Sequence, residues 1–321
     1  FILFASASTG HNKWWKIYFT TPGAKNSTPL HALIYTIKNT KRYFYGAFYE
    51  LKSSPIINEF IKAKKRGIDI RLIVEQDNAH SEKIILLQRA GIKIKTDDCR
   101  GLMHHKFAII DDMYVWTGST NITPNGFFRN NNNAIKIYSK KLTKIFLRKF
   151  NNMFTYHIFC SRRSSPFSIL RKKYYVDIDG TPVNVYFSPS DNIEQLILEE
   201  LKKAKKSIIF MAFSFTSDAI GETLIDKFHQ GVKVYGIFEK RGSNSRYSEY
   251  VKMKIEGLPV KLDKNRKIMH HKVIVIDEKL VLTGSYNFSK NANKNNEENI
   301  LFINNKHIAT QYIKEFKRLY R

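Results

Sequence analysis

MHHKFAIIDDMYVWTGSTN, residues 103–121, returns as MHHKVIVIDEKLVLTGSYN at residues 269–287. In both copies histidine and lysine take alternate positions, His104 with Lys106 and His270 with Lys272. On a strand, residues i and i+2 share a face, so each pair projects together. His105 and His271 then face the other way, which suits packing residues better than ligands. An apolar run follows, then an aspartate (Asp111, Asp277), a second apolar run, and a Gly-Ser turn with an asparagine two residues on. Two apolar runs around a polar turn read as a hairpin. Its return brings Ser119 and Asn121, or Ser285 and Asn287, back beside the His/Lys pair. Imidazole, ammonium and neutral donors around one spot suit phosphodiester cleavage, which needs a nucleophile, an acid for the leaving oxygen and fixed positive charge around the phosphate. Duplication weighs against a purely structural hairpin, because polar side chains converging on one place serve no packing purpose.

The offset from His104 to His270 also aligns AGIKIKTD, ending at Asp97, with EGLPVKLD, ending at Asp263. Upstream, KKRGIDIRLIVE matches FHQGVKVYGIFE with a shift of two residues, and IYFTTPG (17–23) matches VYFSPSD (185–191). The repeat is a whole domain of about 140 residues rather than a short solenoid unit. Strand-like and helix-like segments alternate in each copy, which predicts an α/β sandwich with helices on both sheet faces. The expected division is residues 1–157 as a first domain, 158–180 as a linker without counterpart, and 181–321 as a second domain.

Charge is the strongest bulk signal. Lys and Arg number 54 against 28 Asp and Glu, a formal net of +26. Such a field attracts polyanions, whether nucleic acid or anionic membrane. No uncharged apolar run approaches the roughly 20 residues that span a bilayer. Residues 1–7, FILFASA, read either as the tail of a secretory signal, which would place the chain outside the cytoplasm, or as the start of a strand. Cys99 and Cys160 permit one disulfide and require none.

Both halves resemble the phospholipase D superfamily, whose defining element is the H-x-K-x4-D motif carried here by His104, Lys106, Asp111 and by His270, Lys272, Asp277. The second half is most similar to the small bacterial endonucleases of that superfamily, sharing YFSP, MAFSFTS and TGSYNFSKNANKNNEEN. The resemblance implies an intramolecular pseudo-dimer in a monomeric chain, with one shared, metal-free site and no cofactor. One histidine attacks phosphorus and the other serves as acid, while the lysines, Asn121, Asn287, Ser119 and Ser285 hold the phosphate. It also implies that Asp111 and Asp277 are structural.

The halves differ. The family often places an acid after the asparagine loop to orient the histidine. Glu298 stands there in the second half, and Asn132 in the first. From Met113 to Val176 there is no Asp or Glu at all. A carboxylate stabilises imidazolium as an amide cannot. The sequence therefore suggests His270 with Glu298 as the proton carrier and His104 with Asn132 as the nucleophile. The acid-free stretch, with Arg129, Lys136, Lys140, Lys141, Lys144, Arg148, Lys149 and the run Asn130 to Asn133, suggests a phosphate-tracking groove, though a solvated helix face accounts for part of it. The leading functional expectation is a non-specific nuclease with DNA or RNA as substrate. A phospholipase or cardiolipin synthase acting at a membrane is the alternative. A nucleic-acid-binding protein without activity is the third, against which the intact His, Lys and Asn sets argue.

Overall fold

Runs of alternating β-branched and aromatic residues become the strands, and amphipathic runs become the helices that cover them. The computed structural model describes residues 14–160 and 174–321. Residues 1–7 and most of the expected linker lie outside the described residues. The first half contains β1 (Trp15–Phe19), α1 (Thr28–Asn39), β2 (Tyr43–Phe48), α2 (Ser54–Lys65), β3 (Asp69–Val74), α3 (Glu82–Arg89) and β4 (Lys93–Thr96). The motif hairpin β5 (Lys106–Ile110) and β6 (Tyr114–Gly118) follows, then α4 (Pro124–Phe128), β7 (Asn133–Tyr138) and α5 (Lys140–Phe154). The strand order is β1-β7-β6-β5-β2-β3-β4.

The second half repeats the plan. It contains β8 (Tyr174–Ile178), β9 (Thr181–Ser188), α6 (Ile193–Lys202), β10 (Ser207–Ala212), α7 (Asp218–His229), β11 (Lys233–Phe238), α8 (Glu249–Ile255) and β12 (Val260–Leu262). Its motif hairpin is β13 (Lys272–Ile276) with β14 (Leu280–Gly284), followed by α9 (Lys290–Lys294), β15 (Glu298–Asn304) and α10 (Lys306–Tyr320). The order β12-β11-β10-β13-β14-β15-β9-β8 matches the first sheet strand for strand, with β8 added at one edge. The chain is thus an α/β tandem of two similar halves. The linker boundary at residue 180 needs correction, because Tyr174–Ile178 pairs antiparallel with β9 across a turn at Asp179 and Gly180. The other end of that segment is tied back to the first half by a Cys99–Cys160 disulfide.

Each sheet has a private outer core and a shared inner one. Leu33, Phe60 and Leu87 of α1, α2 and α3 pack on the outer face of the first sheet, and Ile197 and Leu224 of α6 and α7 on that of the second. On the inner faces one continuous cluster joins the halves, with Phe146 of α5 meeting Phe187 of the second half and Tyr312 of α10 meeting Phe19 of the first. Burial of these large side chains, at roughly 25 cal/mol per Å2 of apolar surface, fixes the two sheets against each other.

The motif aspartates explain the hairpin turns. Asp111 and Asp112 have φ of 53° and 56°, and Asp277 and Glu278 have 50° and 57°. Aspartate tolerates this left-handed region better than most residues. Asp111 accepts the backbone N–H groups of Lys41, Arg42 and Tyr43 at 2.7, 2.8 and 3.0 Å. Asp277 does the same for Lys205, Lys206 and Ser207. Burial would raise the Asp277 pKa, but the three amides outweigh it and leave the carboxyl below its usual range. Each aspartate pins the start of β2 or β10 to its hairpin, away from the histidines. Replacing either Asp111 or Asp277 with alanine is expected to cost about 1–3 kcal/mol, read as a lower urea midpoint.

Candidate active site

The two motif hairpins meet where the halves cross. The loop before each motif histidine forms a short parallel bridge with the opposite half, Met103 with Glu297 and Asn131 with Met269. The His104 amide donates to the Glu297 carbonyl at 3.0 Å, and the His270 amide to the Asn131 carbonyl at 2.8 Å. Each histidine is therefore placed beside the residue that follows the bridge in the other half. His104 Nδ1 lies 2.8 Å from both carboxylate oxygens of Glu298. His270 Nδ1 lies 2.9 Å from Asn132 Oδ1 and 3.0 Å from the Ser119 carbonyl. The expected pairing of His270 with Glu298, and of His104 with Asn132, is thus overturned. The acid belongs to the strand after its own half's hairpin, but that strand's first residue points at the neighbouring half's histidine.

Asn132 is held in one orientation. Its Nδ2 donates to the Gly126 carbonyl at 2.9 Å, and its Oδ1 also accepts from Ser119 Oγ at 2.8 Å. An oxygen therefore faces His270, which must carry its proton on Nδ1. Both histidines have Nδ1 occupied, and each Nε2 is free of any hydrogen bond among the described residues.

Ser119 and Ser285, expected to hold phosphate, are fully buried behind the histidines. Ser119 Oγ serves Asn132 and accepts the Asn133 amide at 3.1 Å; Ser285 Oγ accepts the Asn299 amide at 3.0 Å and hydrogen-bonds Glu298. The preceding glycines make this possible. A Cβ at Gly118 would lie 2.4 Å from the Asn133 carbonyl oxygen, and one at Gly284 would lie 2.2 Å from that of Asn299. The Gly-Ser turn thus presses against the neighbouring strand and directs the hydroxyl down onto it. Asn121 donates to Glu50 Oε2 at 2.8 Å, and both Asn121 and Asn287 keep a buried side-chain oxygen without a partner.

Lys106 and Lys272 are buried and donate to the carbonyls of His104 and His270 at 2.8 and 3.1 Å. Tyr49 lies against His104 and Lys106, and Phe213 against His270 and Lys272, with ring contacts of 4.7–5.0 Å. Nothing in the local sequence marks these aromatics as part of the site, since Tyr49 sits in an aromatic-rich run, Tyr43 to Tyr49, that suits packing. The two-residue shift of the upstream repeat was the available signal, since it aligns Tyr49 with Phe213. Two more carboxylates brace the loops, Glu75 accepting the Met103 amide at 2.5 Å and Glu239 the Met269 amide at 2.6 Å.

Behind the site, His105 and His271 do more than pack. His105 Nδ1 is 3.3 Å from Asn299 Oδ1, and Asn133 Nδ2 donates to His271 Nδ1 at 3.0 Å. Both contacts cross between the halves. Among the described residues the acid-free stretch, in contrast, forms no continuous groove. Lys149 is spent on Glu297, Lys136 reaches Thr36 and the Tyr114 ring, Arg148 lies over Tyr174, and Asn131 to Asn133 are buried. Lys140, Lys141 and Lys144 are exposed on the outside of α5.

The electrostatics follow from burial. Both histidines are driven well below their ordinary range, first by burial and then by the charges of Lys106 and Lys272. Burial brings Lys106 down to about 7 against the pull of Glu298, and Lys272 down as well. Burial also pushes Glu298 up to about 7, with Lys106 and Lys272 opposing. Two histidines and two lysines around one carboxylate leave the site short of negative charge, the condition an anionic ligand relieves. Among the described residues no group of three or more His, Cys, Asp or Glu side chains is arranged to hold a metal ion.

The family described as "Cardiolipin synthase, PLD-like domain" matches the chain twice, over residues 33–154 and 197–320. A phospholipase D of Rickettsia conorii is 30% identical over 158 residues, 49% of this chain and 79% of the relative. A mitochondrial cardiolipin hydrolase of Xenopus laevis is 29% identical over 169 residues, 50% of this chain and 79% of the relative. The crystal structure of phosphatidylserine synthase from Haemophilus influenzae Rd KW20 is similar over 94% of this chain and 85% of its own, with a TM-score of 0.71 and 15% identity, a likeness of fold.

Two outcomes test this geometry. Below pH 7 a protonated Glu298 donates to Nδ1 of His104 and moves the ring proton to Nε2; above it the Nε2 lone pair is free. With Glu298 and Lys106 both near 7, kcat/KM should peak close to neutrality. Glu298→Gln should remove the acid limb and lower the plateau by roughly 10²–10⁴. Ser119→Ala should lower kcat by roughly ten-fold, the scale of a lost buried hydrogen bond, with little change in KM. A rise in KM alone would return Ser119 to the phosphate.

Proposed function

We propose that this chain, which belongs to the phospholipase D superfamily and is an enzyme of the phosphodiesterase type, cuts nucleic acid through a phosphohistidine on His104. The observation that carries the chemistry is the pair of histidines with Nδ1 anchored and Nε2 unoccupied, one anchored by a carboxylate and the other by neutral acceptors.

The difference supports a division of roles. As the P–N bond forms, His104 gains positive charge, and the Glu298 carboxylate on its Nδ1–H stabilises that charge, as the aspartate does in a Ser-His-Asp triad. His104 Nε2 attacks phosphorus, the bond to the leaving oxygen breaks, and His270 gives that oxygen its Nε2 proton. Water then attacks phosphorus and passes a proton to His270, and the P–N bond breaks to restore His104. His270 has only the Ser119 carbonyl and Asn132 behind it, so its imidazolium is a strong acid. The bound phosphodiester's own negative charge favours that protonated form. Lys106, Lys272, Asn121 and Asn287 are the candidates for holding the non-bridging oxygens. Nucleophile, acid and fixed charge all come from side chains, so the reaction as drawn has no step that requires a metal.

The net charge of +26 supports a polyanionic substrate over a neutral one. A second reading, hydrolysis of a phospholipid, is supported by the names of the relatives, phospholipase D and mitochondrial cardiolipin hydrolase. Among the described residues no helix is long and apolar enough to cross a membrane.

Plasmid DNA, single-stranded RNA and phosphatidylglycerol vesicles, each with excess chelator, separate the readings. Nucleic-acid cutting that survives chelator and is lost in His104→Ala and His270→Ala is the expected result, with acid-quenched peptide mapping placing the phosphoryl group on His104. Turnover of vesicles alone, or a phosphoryl group on His270, would contradict the respective part.

A further inference from the structure

At one end of the seam between the halves lies a cavity of about 550 Å3. Its walls come from four places: the turn after β1 at Thr21 to Gly23, the segment between α4 and β7 at Arg129 and Asn131, the loop between β12 and β13 at residues 263–267, and the end of α10. Six cations line it: Arg129, Lys264, Arg266, Lys267, Arg318 and Arg321. Asp263 is the one acid among the lining residues, and it is occupied in accepting the Lys240 and Asn265 amides. Arg318 is committed to Glu315, and Lys264 to the Arg321 carbonyl. Arg129, Arg266 and Lys267 are exposed and have no side-chain partner among the described residues.

This cavity adjoins the catalytic centre. Asn131 is in its wall, donates its amide to the Ile268 carbonyl at 2.8 Å and accepts the His270 amide at 2.8 Å. It therefore sits on the His270 side of the site, the side from which the leaving oxygen is protonated.

The internal repeat provides a control for general basicity. The corresponding positions in the other half are Asn295, Asp98, Arg100, Gly101, Asn152 and Thr155, which carry a single cation. That end of the seam is also built shut. The Cys99–Cys160 disulfide lies there, the Cys160 amide donates across to Glu297 Oε1 at 2.6 Å, and Gly101 is so close to the Asn295 carbonyl that a Cβ would lie 1.9 Å from its oxygen. Duplication without selection for a ligand gives no reason for one end to be sealed and the other to be open and lined with six cations.

We propose that this cavity is a second phosphate subsite, built mainly by Arg129, Arg266 and Lys267, which holds a backbone phosphate on the leaving-group side of the one being cut. The proposal rests on the nucleic-acid reading and deepens it. A polymeric substrate then lies across the site in one direction only, leaving past His270 and not past the disulfide. A substrate with one phosphodiester reaches the histidines but leaves the subsite empty.

The test compares a single-stranded oligonucleotide with bis(p-nitrophenyl) phosphate, which has one phosphodiester and no second phosphate. Arg129→Gln/Arg266→Gln/Lys267→Gln is set beside a control of equal charge change, Lys38→Gln/Lys62→Gln/Lys65→Gln, on exposed helix positions of the first half. The expected result is a fall in kcat/KM for the oligonucleotide at least ten-fold larger than the fall for the small diester, mainly through KM. The salt slope of oligonucleotide binding should flatten by about 2, three lost contacts at roughly 0.7 each on a single strand. The control should leave both substrates unchanged. Equal losses on both substrates, or an equal loss in the control, would overturn the subsite. If the unsubstituted protein cuts vesicle phosphatidylglycerol and no oligonucleotide, the nucleic-acid reading itself fails, which the unsubstituted arm alone reveals.

Discussion

Everything at this site depends on two short backbone bridges between the halves. Met103 with Glu297 and Asn131 with Met269 each tie the loop before a catalytic-motif histidine to the strand start of the opposite half. They place His104 against Glu298 and His270 against Asn132, so neither half contains a complete site. The shared inner core of α5, α10 and both sheets holds those bridges in register. Behind them, the crossing contacts of His105 with Asn299 and of Asn133 with His271 add a buried polar layer that tolerates no sliding. Buried polar networks specify one arrangement strongly when each member is satisfied.

The duplicated architecture has been made chemically unequal by few residues. A carboxylate backs one histidine, and an oriented amide and a carbonyl back the other, while the lysines and Gly-Ser turns stay alike. Burial alone would discharge this set, lowering the histidines and lysines and raising Glu298. A phosphodiester brings the charge that the free site lacks, so binding and activation are linked. The same inequality extends outward, where a disulfide closes one end of the seam and six cations open the other.

Much of this was legible in the sequence. Period-two alternation gave the hairpins, the repeat gave two similar domains, and an aspartate at each turn marked residues whose left-handed backbone and amide contacts are structural. What was not legible arises from contacts between distant segments. Offset alignment pairs Glu298 with the motif of its own half, and nothing local says that the residue points across the seam. The Gly-Ser turn reads as a phosphate loop until the glycine's approach to the next strand turns the hydroxyl inward. Two cysteines permitted a bridge without requiring it, and the acid-free basic stretch resembled a groove until Lys149, Lys136 and Arg148 proved to have partners of their own.

The central claim, that Glu298 serves His104 across the seam, is tested most directly by histidine ring ¹⁵N–¹H correlation spectra of the full chain, assigned with His104→Gln and His270→Gln. Glu298→Gln should move the Nδ1 and Nε2 resonances of His104 and leave those of His270 near their original positions. A response confined to His270 would contradict the crossed pairing and the mechanism built on it.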